Sequence, residues 1–134
     1  MSSLPGLRRV GTDESGFSVE SGALGVRVRA WGFWEQAVAS EFARLVLEAL
    51  RASPATRPQL QVDASALKPQ RDEGQEALRE LVGAASKLGL LRADIVVTNA
   101  STKMQIARIL RECGARTWTM KTPMAPAPFG GGEE

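Results

Sequence analysis

Three groups of residues carry usable chemistry: the adjacent carboxylates Asp72 and Glu73, the set Asp63, Ser65, Asn99 and Ser101, and the cations Lys103, Arg108 and Arg111 around Met104. Paired carboxylates serve acid–base catalysis only when both reach one substrate. Neighbouring side chains on a helix point about 100° apart, which sets Asp72 and Glu73 against such a role. The chain has no His, no Tyr and a single Cys, Cys113. There is thus no imidazole base for a Ser or Cys nucleophile, no imidazole metal ligand, and no Cys cluster for zinc or iron–sulfur. One Cys also forms no intrachain disulfide, which suits a reducing compartment. The expectation is a protein without catalytic residues, metal or cofactor.

Each group has a functional and a structural reading. Asp72 and Glu73 can form a fixed acidic partner surface, or they can simply oppose the positive end of a helix dipole. Asp63 and Ser65 end a strand, where α/β folds hold ligands. The same two residue types also perform turn and cap chemistry, and no Gly-rich phosphate loop follows them. Between Ser101 and Lys121 stand five basic residues and one acid, whereas Asp72 to Glu80 holds four acids and one Arg. A Met among exposed cations suits an adaptable protein contact, and the same pattern also describes a solvated helix face.

Overall charge narrows the partners. With 17 basic and 15 acidic residues the net charge is +2, too low for a protein that lives on phosphate backbone. No apolar run approaches the length of a membrane span, and the start, MSSLPGLRRV, lacks the apolar core of a secretory signal. The expectation is a cytoplasmic protein, without nucleic acid and without membrane insertion.

The elements that must position these residues follow from apolar periodicity. The 134 residues fit one domain. Residues 1–16 and the Pro/Gly-rich tail 121–134 read as unstructured, leaving 17–120 as the folded domain. Phe17–Val19 and Val26–Ala30 alternate across a Gly-containing turn and read as a β-hairpin. Helices are expected at about 33–52, 72–88 and 101–113, with Pro54 and Pro58, then Gly89, then Gly114 behind their ends. Asn99 or Ser101 caps the third helix. Short strands are expected at Leu60–Val62, around Ile95–Val97 and near Arg116–Met120. Phe42, Leu81 and Trp34 are assigned to the core, Cys113 to a buried thiol, and Trp31 to a rim.

This order resembles the STAS domain, the fold of bacterial anti-sigma factor antagonists. The resemblance rests on Val62-Asp63-Ala64-Ser65 at a strand end, on Arg71-Asp72-Glu73-Gly74 where the family carries Asp-Ser-Ser-Gly, and on Asn99-Ala100-Ser101 where it often has Asn-Pro-Ser. It covers about residues 17–120 and implies a single-domain α/β fold, a mixed four- to five-stranded sheet packed with three main helices. In the family a Ser of that motif is phosphorylated to weaken partner binding. Asp72 and Glu73 cannot be phosphorylated, so the resemblance implies a member without the usual switch. It also implies a non-enzymatic interaction module of bacterial signalling. The partner would be a regulatory protein, or further copies of the chain in a homo-oligomer, bound through Asp72, Glu73, Lys103, Met104, Arg108 and Arg111. Relatives that accommodate nucleotides or lipids suggest a second reading, a ligand held by Asp63, Ser65, Asn99 and Ser101.

Overall fold

The computed structural model describes residues 7–122. The elements run β1 (Leu7–Gly11), β2 (Gly16–Ser21), β3 (Gly25–Gly32), α1 (Gln36–Arg51), β4 (Gln59–Leu67), α2 (Asp72–Ala85), β5 (Arg92–Val96), α3 (Ala100–Glu112) and β6 (Trp118–Lys121). They form one six-stranded sheet in the order β1-β2-β3-β4-β5-β6. The first three strands pair antiparallel and β3 to β6 pair parallel. The sheet therefore exceeds the expected four to five strands.

The added strand, β1, lies inside the stretch 1–16 that reads as unstructured from sequence. No residue of Leu-Arg-Arg-Val-Gly is fully buried, so burial periodicity cannot announce it. Backbone pairing orders it instead, from Leu7 opposite Glu20 to Gly11 opposite Gly16. At the other end Lys121 closes β6, while residues 123–134 of the expected tail lie outside the described residues.

Strand order explains the layering. Each parallel crossover steps to the next strand in the same direction, and such crossovers are right-handed. α1, α2 and α3 therefore cover one face, with α1 against α2 and α2 against α3. Alternation along the strands agrees. Phe17, Val19, Val26, Val28, Leu60, Val62, Ala93 and Ile95 are buried beneath the helices. Arg27, Arg29, Gln61 and Asp63 alternate with them and are exposed on the other face.

At the core, Phe17, Trp34 and Phe42 form an aromatic triad with ring centres 4.6 to 5.8 Å apart, and Phe42 and Leu81 are both buried as expected. α1 begins at Gln36 rather than at 33. The Trp34 backbone N–H donates to Gln70 Oε1 and its indole N–H donates to the Gly16 carbonyl, which holds this stretch extended. Trp31 is buried rather than at a rim, its indole N–H donating to the Thr12 carbonyl at 2.8 Å. Cys113 is half-buried, with its thiol 3.9 Å from the Arg79 carbonyl.

Candidate functional site

Against expectation, the Asp63–Ser65 segment does not end a strand, because β4 continues to Leu67. Between the pairs Arg29 with Asp63 and Trp31 with Ala66, β4 carries one residue more than β3, a β-bulge. The residues around that irregularity lose ladder partners, and side chains supply replacements. The Ser65 N–H and hydroxyl both donate to Asp63 Oδ1, at 3.0 and 2.6 Å. The Ser65 carbonyl accepts from the Thr98 hydroxyl at 2.7 Å. The strand length was hidden because Ala64 and Ala66 are weak strand formers.

Asn99 and Ser101 lie on the loop and helix start after β5. Asn99 is the N-cap of α3: its side chain accepts from the Thr102 N–H at 3.0 Å. Ser101 is exposed one residue inside the helix. The buried Thr102 hydroxyl donates to the Leu67 carbonyl and ties this helix start to the end of β4. Asp63 points from the open sheet face, so the four residues of this set do not converge on one cavity. Replacing Asn99 by Ala is expected to cost about 1 kcal/mol through loss of the cap. A urea midpoint that does not move would contradict that role.

The second set is brought together more closely. Asp72 and Glu73 stand exposed in the first turn of α2, and Lys103, Met104 and Arg111 are exposed on α3. Met104 is 74% exposed. Arg108 is exposed as well, and its guanidinium reaches across to α2 and donates to Gln75 Oε1.

That contact belongs to a polar seam along α2 and α3. At its start the Gln70 N–H donates to Gln105 Oε1 at 2.8 Å, and Gln105 Nε2 returns a bond to the Gln70 carbonyl at 2.9 Å. At its far end Arg79 pairs with Glu112 at 3.1 Å and with Glu76 at 2.8 Å. The hydrogen bond to Glu112 raises the Arg79 pKa above its ordinary value; burial opposes this and Glu76 adds to it. Sequence reasoning missed these residues, although it held one signal for them. Arg79 is the single cation among the acids of α2 and Glu112 the single acid among the cations of α3, and the two meet.

Gln70 fixes the geometry of this surface. It is 3% exposed, and its Nε2 donates to the carbonyls of Gly32 and Lys68 at 3.0 and 2.7 Å. Gly74 packs against it. A Cβ at residue 74 would lie 2.4 Å from Gln70 Oε1 and 2.7 Å from its Cβ, so the helix start tolerates no side chain there.

Among the described residues no group of three or more His, Cys, Asp or Glu could hold a metal ion. No helix among them is long and apolar enough to cross a membrane. Compared with known protein families and with curated proteins, the chain matches no family model and no curated sequence.

Proposed function

We propose that this chain is a non-enzymatic protein-interaction module of STAS type, acting in bacterial regulation and binding a regulatory protein through the exposed surface of α2 and α3. The observation that carries this reading is Met104. It is the most exposed large apolar side chain among the described residues, at 74%, and stands between Lys103 and Arg108 on a face joined to the acidic start of α2. An exposed flexible thioether ringed by charge suits a protein partner better than it suits water.

Rigidity supports the same reading. The seam from Gln70 to Glu112 holds the two helices in one arrangement, so a partner would bind with little ordering cost. For the STAS assignment, support comes from the succession of strands and helices and from Gly74, whose close approach to Gln70 gives the motif glycine a physical reason. Asp72 and Glu73 occupy the position of the family's phosphorylated segment, so the proposed module binds without that switch.

The test is a pull-down followed by titration of the recovered partner with Met104→Glu, Arg111→Glu and Asp72→Lys at two salt concentrations. These residues are exposed, so each variant should keep the wild-type melting temperature within the effect of about 0.5 kcal/mol usual at surfaces. Met104→Glu is expected to weaken binding at both salts. The charge reversals should act more strongly at low salt, where screening is least. Full binding by all three folded variants would remove this surface.

A further inference from the structure

The open sheet face holds a second feature, separate from the α2–α3 surface. Trp31 lies on it as a fixed platform. Its indole N–H is bonded to Thr12, and a Cβ added at Gly16 would sit 3.2 Å from its Cζ2, so the ring is seated close to that glycine. Two guanidinium groups stack on it, those of Arg9 and Arg29, at 5.3 and 5.6 Å from the ring centre. Their central carbons are therefore within about 11 Å of each other, the sum of those two distances.

The two arginines differ in how they are neutralised. Arg9 pairs with Asp13 at 2.5 Å. Arg29 makes no ion pair within 4.0 Å among the described residues. Its register partner on β4 is Asp63, whose Oδ1 accepts the Ser65 N–H and hydroxyl. Lys68 is exposed and lines the same groove, a space of about 560 Å³, and Ser18 lies in it between Arg9 and Arg29 in register. The Lys68 backbone is pinned by its N–H to the Gly32 carbonyl at 3.0 Å.

We infer that this groove is a binding site for a small phosphate-type oxyanion, held by Arg29 and Lys68 beside the Trp31 platform. Stacking on the ring pre-orders the planar guanidinium, whose fork of N–H donors matches the oxygens of a phosphate. Lys68 adds a second, point-like charge to the same groove, and the Ser18 hydroxyl offers a neutral donor. Asp13 and Glu14, on the exposed turn between β1 and β2, line the same groove; Asp13 is paired with Arg9, and the three cations Arg9, Arg29 and Lys68 outnumber the two acids there. The inference does not depend on the proposed protein-interaction face, because it uses other residues on the opposite side of the domain.

Titration of inorganic phosphate into isotope-labelled protein tests it, with chloride at matched ionic strength as the control. Saturable movement of the Trp31 indole and Arg29 Nε resonances with phosphate alone is expected. The indoles of Trp34 and Trp118, both buried under the helices, should stay still and report that the fold is intact. Arg29→Gln and Lys68→Gln should each weaken binding by about tenfold, the loss of one charge-assisted contact. Lys68 is exposed, so its variant remains informative even where Arg29→Gln disturbs the sheet. No movement in the wild type, equal movement with chloride, or undiminished binding by Lys68→Gln would each overturn the site.

Discussion

Phe42→Ala is expected to lower the free energy of unfolding by about 3–5 kcal/mol, the range for truncating a buried aromatic. Phe42 is fully buried at the middle of α1, with its ring centre 5.1 Å from Phe17 and 4.6 Å from Trp34. Both neighbours are themselves anchored. Phe17 lies in β2 opposite Ala30 of β3, and Trp34 is held by its bonds to Gln70 and Gly16. The cavity left by the missing ring therefore cannot collapse, which places the cost toward the upper end. The edge-on contact with Phe17 adds about 0.5–1.5 kcal/mol beyond area burial. Urea unfolding of both proteins measures the difference, and a loss under about 1 kcal/mol would mean the triad is not close-packed.

Gln70→Ala is expected to cost about as much, from a different source. The side chain accepts from the Trp34 N–H and donates to the Gly32 and Lys68 carbonyls. Its removal strands backbone groups that the fold keeps from water, at about 1–3 kcal/mol for each unsatisfied group. Part of that cost is recovered where water enters, so a loss of about 3 kcal/mol is the expected result. The effect should also be local. Amide exchange should quicken at Trp34 and Gly74 relative to the sheet, because both lose the group that packs on them. Unchanged stability together with unchanged exchange at Trp34 would show that Gln70 is a passive filler.

The contrast between these two residues shows how far the sequence could be read. Phe42 and Leu81 were legible because helical periodicity puts each on a stripe of apolar neighbours, and both are buried. The three helices fall within a few residues of their expected spans, the differences arising where side chains override propensity, as Trp34 does before α1. The α/β class and the mixed sheet were likewise legible, but β1 was not, since an edge strand with Arg8 and Arg9 exposed buries no alternating face. Gln70 follows a proline in a loop, and nothing in its type announces that it is buried and bonded on three sides. Of the candidate residues, Asp63 and Asn99 were visible as cap or turn formers, and the structure gives both such bonds. What a single sequence could not supply was the bulge that makes Asp63 and Ser65 one unit, because a bulge is a property of two paired strands.

Each strand of the sheet pairs only with its neighbours in the chain, and this bears on how the molecule assembles. The β1–β2 and β2–β3 hairpins need only short turns to close, and each parallel pairing spans a single helix. Loop-closure entropy rises by about 0.6 kcal/mol per doubling of loop length, so the two hairpins close at least cost and each longer helical crossover costs somewhat more. Order can spread from the β2–β3 hairpin outward, with the parallel pairings, which join segments farther apart in the chain, as the slower steps. The helices arrive on the same side as each strand is added, so the apolar face of the growing sheet is covered as it forms. The face left bare is the polar one, which water already satisfies.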